Sequence, residues 1–323
     1  MGKDAKRPCG YSPALEFYLR RDKEGGRLLD PGVFHGMLPD ALARRTCLVL
    51  VHGFNNSDGG AATAYFAFRK REGALFSSVD PSAFESVFGD TFWPGDAEWG
   101  FFDKLDFLIY PTAVHTAVDA GKDLDAMLAK LPNLERVDFI GHSLGCRVVL
   151  ETLLLLRKRA LPKVGRVVLM AAAVPSEMLE RGGRFFNLLM ELWAEGIEVR
   201  VFHSLDDKVL HWAFPPGQSL AGKTEASQRA LGRYGPSVMM PGWNRTLKGV
   251  TVTGADHSDY WGDGKPAPSL QSTTEAGIFL RLGELKRELG TARGISATAT
   301  LPDRRSLVDP RSLTSPRADC RQV

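Results

Sequence analysis

The chain reads as an α/β protein with a mostly parallel central sheet and helices on both faces. Three observations carry this. Short apolar, β-rich runs alternate with segments of helical spacing. The run 46–51 is continuously apolar, the pattern of a strand buried on both faces. A second strand-like run, 137–140, passes directly through Gly141-His142-Ser143-Leu144-Gly145 into a long helical segment, as chains do at the edge of an open sheet.

Taken in order, 14–20 and 26–29 read as short leading strands, and 46–51 as a central strand ending in His52-Gly53. A polar loop and a helix around 61–71 follow. Residues 87–93 read as a strand stopped by Pro94-Gly95, and 106–110 as another short strand. The segment 112–131 has helical spacing, with Val114, Val118, Leu124, Met127 and Leu128 on one side, and Pro132 stops it. Residues 137–140 form the strand before the serine, and 144–159 the helix after it, apolar nearly all round at 153–156. The remainder is a strand at 166–170, a helix over 177–194, strands at 197–202 and 248–253, and a last helix over 269–289. Beyond Gly290 the composition turns to Ala, Thr, Ser, Pro and Arg without periodicity. Residues 1–290 are therefore expected to form one domain and 291–323 a disordered tail.

Bulk properties narrow the function classes. A formal net charge of +3 is too small to point to nucleic acid as a partner. No run approaches the roughly 18 apolar residues that cross a bilayer. The first ten residues lack the apolar core of a secretory signal, and Lys6 stands where an N-myristoylation signal wants Ser or Thr. A cytoplasmic location is the expectation. Cys9, Cys47, Cys146 and Cys320 show no paired spacing for a metal or a disulfide framework. No motif calls for a metal or nucleotide cofactor.

Ser143 stands between glycines two positions away on either side, at a strand-to-helix turn. Residues without Cβ permit the close approach of such a turn, and the helix N-terminus favours developing negative charge. A serine nucleophile needs a base, an acid that orients the base, and donors for the oxyanion. In one arrangement on an open α/β sheet these follow in the chain order serine, acid, histidine. Of the seven histidines, His257 lies beyond the last strand and fits the base. His203 precedes the acid, His35 lies before the core sheet, and His115 and His211 fall in helices or loops. Asp206 and Asp207 both follow the strand 197–202. Asp207 is favoured, because Val209-Leu210 can pack its loop down; Glu177 is a third candidate acid. The oxyanion donors are the N–H of Leu144, after the nucleophile, and the N–H of Phe54 in Val51-His52-Gly53-Phe54-Asn55-Asn56, about 90 residues upstream. Asn55 and Asn56 can pin that loop.

These pieces resemble the α/β-hydrolase superfamily. The resemblance covers about residues 40–290 and rests on Leu50-Val51-His52-Gly53-Phe54-Asn55-Asn56, Gly141-His142-Ser143-Leu144-Gly145, Asp207-Lys208-Val209-Leu210 and His257. The Asn-Asn pair, the Trp93-Pro94-Gly95 turn and the Asp207-to-Leu210 piece are similar to a bacterial group of uncharacterised serine hydrolases. The resemblance implies an α/β-hydrolase fold and an acyl-enzyme mechanism carried by Ser143, Asp207 and His257. The chain departs from lipases in lacking a long insertion after 166–170, where one helix leads to the next strand, so little or no cap domain is expected; the longer insertion lies between Leu210 and Leu247.

Trp93, Trp99, Phe101, Phe102, Trp212, Phe214, Trp243 and Trp261 fall near the expected C-terminal strand ends. Phe54 and Trp93 are the candidate substrate-lining residues. The expected activity is hydrolysis of a small carboxylic ester. Acyl transfer and thioester or amide cleavage share the same nucleophile chemistry, and a binding protein on a hydrolase fold stays open as well.

Overall fold

Every residue of Thr46–Val51 after Thr46 is fully buried, so both faces of that strand are covered, as a continuous apolar run requires. The computed structural model describes residues 6–20, 45–54, 56–75, 87–95, 106–215, 229–237 and 247–282. Among these residues the strands are β1 (Glu16–Tyr18), β2 (Thr46–Val51), β3 (Phe88–Phe92), β4 (Arg136–His142), β5 (Lys163–Met170), β6 (Val199–His203) and β7 (Leu247–Thr251). They form one sheet in the order β1-β3-β2-β4-β5-β6-β7, each neighbouring pair parallel. The helices are α1 (Asp58–Leu75), α2 (Asp106–Leu128), α3 (Gly145–Leu156), α4 (Phe186–Ala194), α5 (Lys208–Trp212), α6 (Leu231–Tyr234) and α7 (Pro266–Leu280).

The strand order places the site. From β2 the chain steps outward through α1 to β3, then crosses back through α2 to β4 and onward through α3 to β5. Right-handed crossovers running in opposite directions put α1 on one face and α2 and α3 on the other. The direction changes between β2 and β4, and the C-terminal ends of strands beside such a switch point are where open α/β sheets hold ligands. His52-Gly53 leaves the end of β2, and Ser143 leaves the end of β4.

Two of the element expectations are corrected. Residues 106–110 open α2 and are not a strand. The four-residue apolar run after Asp106 is compatible with either state, and its continuation into 112–128 decides for helix. Residues 177–194 are not one helix: a 3-10 turn at Ser176–Leu179 is separated from α4 by Gly182, at φ +87°, and Gly183. The connection after β5 is thus a turn and one short helix, with no cap inserted there. Strand 26–29, the end of helix 269–289 and the tail 291–323 lie outside the described residues.

One buried group gives the fold a pH dependence. Glu72 on α1 is fully buried against Gly277 of α7, and neither carboxylate oxygen has a partner among the described residues. Burial pushes its carboxyl up to about 8, because the charged form loses its hydration. The folded state therefore keeps a proton that the unfolded chain releases at an ordinary carboxylate pKa. Stability is fully present below that ordinary value and is lost as pH rises toward about 8. Glu72→Gln is expected to raise Tm above pH 8 and to flatten the decline between pH 5 and 8. A Tm series in which the two proteins fall in parallel would contradict this.

Candidate active site

The turn out of β4 is strained and tightly packed. Ser143 adopts φ +52°, a left-handed conformation that costs a non-glycine residue on the order of 1 kcal/mol and persists where surroundings enforce it. Those surroundings are explicit. The Ser143 N–H donates to the Met170 carbonyl at 2.9 Å, and the Ser143 carbonyl accepts from the N–H groups of Ala173 and Cys146, both at 3.1 Å. A Cβ on Gly145 would sit 2.2 Å from the His52 carbonyl oxygen, and one on Gly53 would sit 2.7 Å from Ser143 Cβ. The two glycines let the loop after β2 lie directly against the serine. Leu144 occupies the N-cap position of α3 without a side-chain cap, and first-turn N–H groups there have no intrahelical acceptor.

Ser143, His257 and Asp207 form one hydrogen-bonded chain. Ser143 Oγ lies 2.8 Å from His257 Nε2, and His257 Nδ1 lies 2.8 Å from Asp207 Oδ2. The Asp207 carboxylate accepts Nδ1–H, which leaves Nε2 bare to accept the serine O–H. Asp207 is fully buried, and the His257 side chain is 17% exposed, so the chain opens to solvent at the imidazole. Asp207 Oδ1 accepts the Leu210 N–H at 2.8 Å and caps α5, while Arg233 Nη1 donates to the Asp207 carbonyl at 2.6 Å.

Asp206 faces elsewhere: its Oδ2 accepts the Gly254 N–H at 3.1 Å. Asp256 replies from the other side. Its Oδ1 accepts the N–H of Lys208 at 3.2 Å and of His257 at 2.9 Å. Burial alone would raise the Asp256 pKa, but those two N–H groups and Lys208 hold it below the usual carboxylate value. The loops that carry Asp207 and His257 are thus laced together by carboxylate-to-backbone bonds. Glu177 is exposed on the 3-10 turn. His115 and His211 are exposed, and His203 sits at the end of β6 beside Thr251 and Gly235.

The loop after β2 rests on a buried polar network. The His52 N–H donates to Tyr65 Oη, whose hydroxyl donates to the Thr91 carbonyl, both at 2.7 Å. Trp93 Nε1–H donates to the His52 carbonyl at 2.8 Å, and the two rings stack with centroids 5.7 Å apart. The Trp93 N–H points at His52 Nε2 at 3.3 Å, so Nδ1 carries the ring proton and donates it to the Gly53 carbonyl at 2.8 Å. Trp93 is fully buried. Enclosed in this way, its ring supports the loop after β2. Phe54 is half-buried on the loop, against the core. Asn56 sits beside the start of α1, with Oδ1 near Gly60, and Asn55 lies outside the described residues.

The other aromatics divide. Trp261 is buried edge-on against Tyr65 and Phe68, Phe214 is buried, and Trp212 is 73% exposed on α5. Trp99, Phe101, Phe102 and Trp243 lie outside the described residues. A recess of about 440 Å³ lined by Arg136, Arg166, Arg200 and Phe279 lies at the opposite, N-terminal edge of the sheet. Two of its arginines are ion-paired, Arg136 with Asp138 and Arg200 with Glu198.

Residues 38–215 match the model of a family described as alpha/beta hydrolase of unknown function (DUF900). The chain belongs to this family. The match begins ahead of β2 and runs beyond α5, so it takes in the His52 loop, the Ser143 turn and Asp207. The seven-stranded parallel sheet is thus the sheet of an α/β hydrolase. No curated protein matches the chain. Among solved structures it is similar to an uncharacterised protein from Bacillus cereus at 14% identity and TM-score 0.42, covering 73% of this chain and 60% of that one. A protein from Listeria innocua aligns at 11% identity and TM-score 0.43, covering 73% and 94%. An esterase from Pyrobaculum calidifontis aligns at 17% identity and TM-score 0.35, covering 77% of each chain. No described helix is long and apolar enough to cross a membrane.

Proposed function

We propose that this α/β hydrolase cleaves a small carboxylic ester through an acyl-enzyme intermediate, with residues 1–290 as the catalytic unit. The observation that carries the proposal is the hydrogen-bonded chain Asp207–His257–Ser143 ending on a serine at φ +52°. His257 Nε2 takes the Ser143 proton as Oγ attacks the ester carbonyl. The oxyanion that forms is held by the N–H groups of Leu144, next to the nucleophile, and of Phe54, next to Gly53, whose backbone lies against Ser143. Collapse breaks the bond to the alkoxy oxygen, which leaves as the alcohol with the proton from His257. A water molecule then gives a proton to His257 as its oxygen attacks the acyl carbon; the second collapse breaks the bond from the acyl carbon to Ser143 Oγ, His257 returns the proton to Oγ, and the carboxylic acid leaves. Asp207 accepts the Nδ1–H throughout and stabilises the imidazolium. Every atom of this cycle comes from the substrate, water and these side chains.

The test is a panel of p-nitrophenyl esters from acetate to palmitate, run beside p-nitroanilide and thioester analogues of the best acyl group. Turnover of at least one ester, with the matching anilide much slower, is expected. Turnover of only the anilide or only the thioester would move the activity to amidase or thioesterase. No turnover of any of them by folded protein would remove the hydrolytic reading.

A further inference from the structure

We propose that His142 is a positioning residue that sets the backbone of His257. The inference rests on the reading of His257 as the base for Ser143. His142 Nε2 lies 2.7 Å from the His257 carbonyl oxygen. A carbonyl only accepts, so Nε2 carries the ring proton and Nδ1 is a bare acceptor. That Nδ1 is buried and has no partner among the described residues; a Cβ on Gly53 would sit 3.0 Å from it. Burial, with the His257 and His52 rings nearby, pushes the His142 pKa down to about 3, so the imidazole is neutral.

The ring therefore leaves one polar atom buried and unpaired, which is unfavourable for folding. It is enclosed by the rings of His257, Tyr260 and Trp261, with centroids 5.1, 6.1 and 6.0 Å away. An apolar side chain would suit those walls better. What a histidine adds is the bond to the His257 carbonyl, and that bond has a specific geometric effect. Asp256 Oδ1 holds the N–H of His257 at 2.9 Å, and His142 holds its C=O. The peptide planes on both sides of the His257 Cα are thus anchored, which fixes the direction of its Cβ. Asp207 then sets the ring. His142 is also the residue before Ser143, so the strand end that carries the nucleophile holds the base loop at a set distance from it.

His142→Leu and His142→Gln in the full chain separate positioning from packing, because the Gln amide N–H₂ can stand in for Nε2–H. Three readings are taken: kcat and KM on the best p-nitrophenyl ester, Tm, and the low-field proton resonance of the His257 Nδ1–H bonded to Asp207. In His142→Leu, kcat is expected to fall about tenfold or more with KM little changed, as small misplacements of a reacting group do. Tm is expected to hold or rise, and the low-field resonance to broaden or vanish. His142→Gln is expected to restore both kcat and the resonance. An unchanged resonance and kcat in His142→Leu would overturn the proposal, and so would losses that follow Tm equally in both variants. The resonance is read without substrate. If the wild type hydrolyses nothing yet the resonance is lost in His142→Leu and kept in His142→Gln, the positioning role stands and the esterase reading falls.

Discussion

Ser143→Ala is expected to reduce kcat on the best ester by about 10⁴- to 10⁶-fold, the range seen when a serine nucleophile acting as part of a unit is removed. The change deletes one oxygen from a buried site and leaves the Leu144 and Phe54 N–H groups in place. KM is therefore expected to stay within a few-fold of the wild-type value, and the residual rate to reflect binding and the oxyanion donors alone. Full wild-type turnover by the folded variant would mean that another group carries the chemistry.

Asp207→Asn is expected to cost about 10⁴-fold in kcat, because the amide can present N–H to His257 Nδ1 and stabilise the tautomer with the proton on Nε2. An imidazole in that tautomer cannot accept from Ser143 Oγ, although every distance is nearly kept. Leu210 N–H still finds an oxygen to cap α5, so the fold is expected to hold. Asp206→Asn is the matched control. Asp206 is exposed and serves the Gly254 N–H through one oxygen. An amide oxygen can replace that oxygen, so the loss is expected to stay below about tenfold. Equal losses in the two variants would contradict the assignment of Asp207 as the acid.

The contrast between those two aspartates shows where sequence reading reaches its limit. Their position after β6 was legible from the strand pattern and from the order serine, acid, histidine. Which of them faces the histidine depends on the turn at Ser204–Asp207 and on the α5 cap, where a one-residue shift reverses a side chain's direction. β2 and β4 were legible because their burial leaves a long apolar or strand-like run. The start of α2 was not, since 106–110 is too short for periodicity to separate strand from helix. The break at Gly182 was written in the sequence but outweighed by apolar spacing on either side.

Ser143, Asp207 and His257 were read from residue types that announce chemistry, and the structure brings them within hydrogen-bond distance; residues that hold others carry no such signal. Trp93 looked like a pocket wall because large aromatics at strand ends often are. Its indole N–H donates to the His52 carbonyl, a contact that only the structure shows. His142 looked like part of the Ser143 motif, and only the distance to His257, 115 positions away, reveals its bond. The one sequence signal for it was a histidine placed where the end of a buried strand favours an apolar residue.

The most direct measurement is the rate and site of covalent labelling by a fluorophosphonate, read by peptide mass spectrometry on folded full-length protein. A single adduct on Ser143 is expected, absent in Ser143→Ala and formed far more slowly in Asp207→Asn. No adduct on the wild type, or one on another serine that persists in Ser143→Ala, would contradict Ser143 as the nucleophile.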